Sequence, residues 1–307
     1  MNNTARYILL RRVLLFCLFL HLAVSISLSA EEIPLYLLEM GAGADDYALL
    51  VDKKYQEIHL YKNSPDGPSL QKKFRCTTGK NNNGTKSREG DKKTPNGIYF
   101  FRGILEDDQL PIKYGARALT LDYPNSYDRL FNKTGYGIWL HAVDEDERVE
   151  ISYDTEGCVV VTNEDILELS RFISLNSTPI IIDDTISAAS ADNLKAERQK
   201  VLDFVHHWAD VWQNKDIDRY MDCYENRFYS YGRNKQQQRS YKQRLNRAYK
   251  TIEVDLSDIR VYGYHDYYVV AFTQEYRSDL FYSKGPKKLY LDRGENGLKI
   301  FAERMNR

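Results

Sequence analysis

From Leu49 onward the chain alternates short apolar runs with polar punctuation. "ALLVDKKYQEIHLY" places two apolar runs around a charged turn, the pattern of a β-hairpin, and "KKFRCTTG" predicts a further strand. "GKNNNGTKSREGDKKTPNGIYFF" follows, polar and broken by Gly79, Gly84, Gly90, Pro95 and Gly97, so it predicts a long loop that ends in a strand. A loop of that length inside a compact domain is usually functional or disordered. "ALTLDYP", "YGIWLHAV", "GCVVVT" and "TPIIIDD" add short strands. "NEDILELSRFISL" predicts a helix, with Thr162 or Asn163 as N-cap, acidic Glu164 and Asp165 in its first turn, and Ile166, Leu169 and Ile173 at helical spacing. Many short strands with few helices imply a mainly β domain over residues 49–186.

The pattern changes after "ISAASADN", a small-residue linker placed at 187–196. Val201, Phe204, Val205, Trp208, Val211 and Trp212 form an apolar stripe at helical spacing, and a second helix is expected around Tyr241 to Tyr249. "TIEVDLSDIRVYGY", "DYYVVAFTQEYRS", "KKLYLDRG" and "LKIFAERM" then read as antiparallel strands. Helices stacked on a curved sheet make residues 197–307 an α+β unit. His206, His207, Asp210 and Tyr220 fall in the helical part, where their spacing fits helix faces better than a site.

The first residues change the expected compartment. Arg6, Arg11 and Arg12 precede an apolar run from about Val13, and small residues follow at Ser27, Ser29 and Ala30. This predicts a secretory signal over 1–30, cleaved near Ala30 and leaving 31–48 as an N-terminal segment. The run is short for a membrane span and contains His21. A periplasmic or extracytoplasmic protein with no integral span is therefore expected. Cys17 leaves with the signal, so Cys76, Cys158 and Cys223 remain, an odd set for an oxidising space. Cys76 and Cys223 could pair only if the two domains met there.

The formal net charge of −1 hides an uneven distribution. Residues 31–187 carry 18 basic and 27 acidic side chains, and residues 188–307 carry 22 and 17. "RNKQQQRSYKQRLNRAYK" holds seven basic residues and no acid. It is either a solvated helix face or a surface for an anionic polymer, a glycan strand or the acidic domain itself. Nucleic acid is not an expected partner of an exported chain. The tyrosines Tyr229, Tyr231, Tyr241 and Tyr249 fit glycan stacking or a homodimer through the C-terminal domain.

The candidate chemistry lies in "YDTEGCVVVTNED". A catalytic cysteine attacks as the thiolate and needs a base, partial exposure and backbone donors for the oxyanion. Gly157 allows close backbone approach just before Cys158, and the amides of residues 156–158 could hold that charge. His141 ends the strand "GIWLH", so adjacent strands ending together would bring imidazole and thiol into reach. Taken alone, a Gly-Cys beside valines is more often a core filler. No His/Cys cluster has metal-ligand spacing, and no cofactor or metal is expected.

These residues sit in a larger pattern. "LLVDKKYQEIHLY", "CTTGKNNNGTKSREGDKKTPNGIYFF", "IWLHA", "TEGCVVVTNED" and the closing "TPIIIDD" resemble, in order, the blocks of the L,D-transpeptidase (YkuD) catalytic domain. The resemblance implies a β-sandwich-like fold and a cysteine acyl-enzyme. Cys158 would attack, His141 would accept the thiol proton, the carbonyl of Ala142 would orient the imidazole, and the Gly157 and Cys158 amides would stabilise the oxyanion. Thr155, Glu156 and Tyr123 are expected along the substrate cleft. The chain departs from the family at Glu156, where a histidine usually precedes the Gly-Cys pair, and at Val160, where an Arg or Asn usually stands. "VLDFVHHWADVWQNKDIDRYMDCYENRFYS" resembles the opening helices of the cone-shaped nuclear-transport-factor/SnoaL-like domains.

The resemblance implies a substrate, the peptidoglycan stem tetrapeptide, cut between its diamino acid and the terminal D-alanine, with glycan strands as further partners. The two domains together resemble the cell-shape-determining L,D-carboxypeptidases of helical bacteria. With the "GCVVV" departure, this favours water as acceptor and a tripeptide product. The alternatives are a transpeptidase forming 3→3 cross-links or attaching a protein, and a non-catalytic cell-wall binding module.

Overall fold

Apolar runs with no polar alternation need cover on both faces, and here they find it. The computed structural model describes residues 33–305 except 42, 44, 45, 295 and 296, so the expected signal segment lies outside the described residues. The N-terminal segment supplies β1 (Ile33–Pro34) and β2 (Leu37–Glu39). The next strands are β3 (Tyr47–Asp52), β4 (Glu57–Lys62), β5 (Ser69–Arg75), β6 (Gly97–Glu106) and β7 (Arg117–Leu121). After helix α1 (Ser126–Leu130) come β8 (Trp139–His141), β9 (Val159–Val160), helix α2 (Asn163–Leu169) and β10 (Pro179–Asp183). Thr162 caps α2, its hydroxyl accepting from the Asp165 amide, as the local pattern predicts.

β11 (Ala188–Ala189) leads into α3 (Ala191–Gln213), α4 (Ile217–Asp222), the short pair β12 (Tyr229–Ser230) and β13 (Arg233–Asn234), and α5 (Lys235–Ala248). The last strands are β14 (Ile252–Tyr264), β15 (Tyr267–Ser278), β16 (Tyr282–Asp292) and β17 (Lys299–Met305). The segment expected as a linker thus carries β11 and the opening of α3.

The first domain is a curled eight-stranded sheet in the order β5-β4-β3-β10-β6-β7-β8-β9, with β3/β10 and β8/β9 parallel. The second is a sheet in the order β17-β16-β15-β14-β2, with helices on one face. Its edge strand β2 comes from ahead of the first domain, a crossing the sequence did not reveal.

Side-chain alternation sorts the cores. Leu49, Val51, Tyr99, Phe101, Ile180 and Ile182 pack inward with Leu119, Leu140 and Val159. Their neighbours Ala48, Leu50, Ile98, Phe100 and Ile181 pack on the other face, against Tyr262, Tyr264, Tyr267, Tyr290 and Phe301 of the second sheet. The far face of that sheet packs on α3 through Val205, Trp208 and Trp212. Burying one such large apolar side chain stabilises by roughly 2 kcal/mol, so the interface between the domains is a core in its own right. Two of its tyrosines are anchored on one carboxylate: the Tyr36 and Tyr264 hydroxyls donate to buried Asp183 at 2.7 and 2.9 Å.

Two points that the sequence leaves open are decided here. Cys76 lies in the first domain's core and Cys223 in the helical core of the second, and both thiols are free, because the sheet interface separates them. His206, His207 and Asp210 are exposed while Tyr220 is buried with its hydroxyl 2.6 Å from that of Tyr224, so these four form no site.

Candidate active site

The parallel pairing of β8 and β9 assembles the centre. His141 stands opposite Val160. Alternate residues share a face, so Cys158, two residues before Val160, lies on the face of His141. Packing agrees: Val159 and Val161 enter the inner core, whereas Val160 and Cys158 pack with Val143 and Val149 outside it. Cys158 is partly exposed, and its thiol donates to the Gly137 carbonyl at 3.4 Å.

The imidazole is held on its other side. Nδ1 of His141 lies 2.5 Å from the carbonyl oxygen of Ala142. A carbonyl only accepts, so Nδ1 carries the hydrogen and Nε2 keeps its lone pair. Tyr114 packs edge-on against the ring, with centroids 4.9 Å apart. Gly115, at φ +62°, lets this turn close on Ala142, where a Cβ would come within 2.7 Å of the alanine's own.

Burial dominates both proton affinities. It pushes the thiol of Cys158 up to about 11, although the Trp139 backbone and the cations Lys86 and Lys113 oppose the rise. It pushes His141 down to about 4; the bond to Ala142 opposes this, while Arg148 and Lys113 add to it. At neutral pH the resting pair is therefore thiol and neutral imidazole.

The turn before Cys158 is built by Thr155. Its hydroxyl donates to the Cys158 carbonyl at 2.7 Å and accepts from the Gly157 amide at 3.0 Å. Gly157 adopts φ +128°, and a Cβ there would meet the Lys93 carbonyl at 2.7 Å, so only glycine fits without a shift. Two expectations change as a result. The Gly157 amide, expected in an oxyanion hole, is occupied by Thr155, and the Thr155 hydroxyl, expected on substrate, is spent inside the turn. Among the described residues the Cys158 amide has no such acceptor. Tyr123 is also not at the cleft surface: it is 5 % exposed and donates to the Thr134 carbonyl at 3.0 Å, bracing the segment after β7. Glu156 is exposed at the rim and pairs with Lys80 and Lys92 at 3.4 and 3.3 Å.

The long polar loop is ordered by a residue the sequence reading did not single out. One oxygen of Asp91 accepts from Lys86 Nζ at 2.7 Å and from the Lys93 amide; the other accepts from the Ser87 and Arg88 amides. Burial would raise the Asp91 carboxyl, but these donors outweigh it and hold it near 2. A buried ion pair closing a glycine-rich loop leaves no periodic signal, and only the "GD" turn pair hinted at it.

A cavity of about 970 Å³ opens in the C-terminal domain. Tyr231, Tyr241, Tyr249 and Trp212 line it together with Arg233, Lys242, Lys287 and Glu303. The basic stretch is therefore not one solvated face: Lys242 turns inward, 5 % exposed, with Nζ over the Trp212 ring. Among the described residues, the buried Trp212 Nε1, Gln274 Oε1 and Tyr276 hydroxyl have no hydrogen-bond partner.

Comparison with known proteins fits this division. Residues 46–182 match the family model of the L,D-transpeptidase catalytic domain, and residues 200–304 match that of the Cds6 C-terminal NTF2-like domain. The structure of Bd1075 from Bdellovibrio bacteriovorus is 32 % identical in sequence with a TM-score of 0.78, and the similarity covers 90 % of this chain and 98 % of that one. The chain belongs to the L,D-transpeptidase family.

Another solved structure, the helical cell shape determining protein Pgp2 from Campylobacter jejuni, shares the fold at 22 % identity and TM-score 0.70, covering 88 % of this chain and 95 % of that one. YafK of Escherichia coli K12, described as a candidate L,D-transpeptidase, is 25 % identical over 122 residues, 40 % of this chain and 45 % of that protein. The chain thus spans about half the length of the curated relatives it matches. Among the described residues of this L,D-transpeptidase-family member, no helix is long and apolar enough to cross a membrane.

Proposed function

We propose that the protein is a periplasmic cysteine enzyme of peptidoglycan stem peptides, and that it hydrolyses tetrapeptides to tripeptides. The observation that carries this reading is the locked tautomer of His141: Nδ1 is committed to the Ala142 carbonyl, so Nε2 is the free base on the face that bears Cys158. As the thiol attacks the carbonyl of the diamino acid, its proton passes to Nε2. The tetrahedral oxyanion takes the hydrogen bond of the Cys158 amide. The proton then moves to the leaving nitrogen, D-alanine departs, and a thioester remains. Water attacks it, giving its proton to Nε2, which returns it to the sulfur as the tripeptide leaves. Every step uses this chain's own residues. A role in cell shape, which the Pgp2 title names for that protein, belongs to the same proposal.

Purified protein incubated with disaccharide-tetrapeptide is expected to yield the tripeptide alone, read by mass spectrometry. Cross-linked dimers would instead make the acceptor an amine and the protein a transpeptidase. No product from a folded protein would leave a wall-binding module.

The C-terminal cavity is proposed to hold wall polymer, its tyrosines facing sugar rings and its excess of cations facing carboxylates. Tyr241→Ala combined with Arg233→Ala should weaken retention on isolated sacculi several-fold, more at low salt than at high. Undiminished retention at every ionic strength would remove the cavity from this role.

A further inference from the structure

The cations felt by the reactive pair are not equivalent. Lys86 is buried against Asp91, and Arg148 is shared between Asp144 and Asp154 at 3.1 and 3.0 Å. Lys113 is exposed, and among the described residues it has no carboxylate partner. Its ammonium rests 4.9 Å from the centroid of the Tyr114 ring, which is itself 4.9 Å from that of His141, so it stands within about 10 Å of the imidazole. The turn that carries it is rigidly seated. The Tyr114 and Gly115 amides bond back to Pro111 and Ile112, Gly115 closes on Ala142, and the Ala116 amide donates to Asn163.

We propose that Lys113 recognises the free carboxylate of the leaving amino acid, and so restricts the cleft to stem peptides that end one residue past the scissile bond. This rests on the stem-peptide reading given above. In a tetrapeptide the leaving nitrogen, which receives its proton from His141, is separated from a free carboxylate by a single carbon. An unpaired ammonium near that histidine matches such a carboxylate in charge and in reach. Without substrate the ammonium lies over the Tyr114 ring, a weak site that a carboxylate can outbid.

The test compares disaccharide-tetrapeptide bearing a free C-terminal carboxylate with its C-terminal carboxamide, using the full protein, Lys113→Ala and Lys113→Arg. The wild type should favour the acid by roughly ten- to a hundredfold in kcat/KM, the range of one charged hydrogen bond. Lys113→Ala should lose that preference, mainly through KM on the acid, so that acid and amide are turned over with similar kcat/KM. Lys113→Arg should retain most of it. A denaturant melt matching that of the wild type shows that each variant is folded. An active wild type whose acid preference survives in Lys113→Ala overturns the inference and spares the stem-peptide reading. A wild type inactive on both substrates overturns both.

Discussion

Replacing Cys158 by Ala is expected to lower tetrapeptide turnover at least about a thousandfold, as removal of a nucleophile that acts together with its base does, while the protein stays folded. The loss should be nearly complete because no other thiol among the described residues can substitute. Cys76 is 0 % exposed inside the first core and Cys223 is 4 % exposed inside the second. The fold should tolerate the change because Cys158 is partly exposed and its thiol makes one long bond to the Gly137 carbonyl, so the lost packing costs about 1 kcal/mol or less. Mass spectrometry of the product and a denaturant melt check the two halves. Tripeptide formed at the wild-type rate by Cys158→Ala would move the nucleophile elsewhere.

His141→Ala should cost a similar factor, and the pH dependence of the wild type should report the same residue. With the thiol near 11 and the imidazole near 4, no thiolate is stored at rest, and in the proposed mechanism the proton moves as the carbonyl arrives. kcat/KM should stay level from about pH 6 to 9 and fall only as the pH approaches 4, where Nε2 becomes protonated. A histidine with its ordinary value of 6.5 would already fail by pH 6.

Stability follows with the same sign. The unfolded chain binds a proton at His141 that the folded one refuses between pH 6.5 and 4, so stability is lost as pH falls through that window, by about 3 kcal/mol for this residue. A rate profile with a single descending limb near 6.5 would mean that the imidazole is not buried as described. Alkylation of Cys158 by iodoacetamide should be slow at pH 7 and accelerate toward pH 11, and a fast reaction at neutral pH would argue for a preformed thiolate.

The candidate pair was legible because the pattern it needs is local. Each residue lies at the end of a short apolar strand, and neither strand's identity depends on distant parts of the chain. What the local pattern could not tell was which groups near Cys158 are free to act. Thr155, Glu156 and Gly157 lie within three residues of the thiol, yet a hydroxyl aimed into the turn and one aimed into the cleft have the same sequence. Tyr123 illustrates the same limit, since a tyrosine at a strand end is consistent with either a cleft or a core. Asp91 was overlooked because its value comes from four donors brought together by the loop it closes.

The sequence by itself determined the element types, the two-domain order and the strands that carry His141 and Cys158, because periodicity and capping act over a few residues. Only the tertiary structure decided how the strands are shared. β2, from ahead of the first domain, completes the sheet of the second, and Phe100, Leu50 and Ile181 are buried against Tyr262, Tyr267 and Phe301 from residues more than eighty positions away. An unbroken apolar run states that both faces need cover but not what supplies it. The partner is chosen by the sheet whose aromatic face would otherwise be left in water.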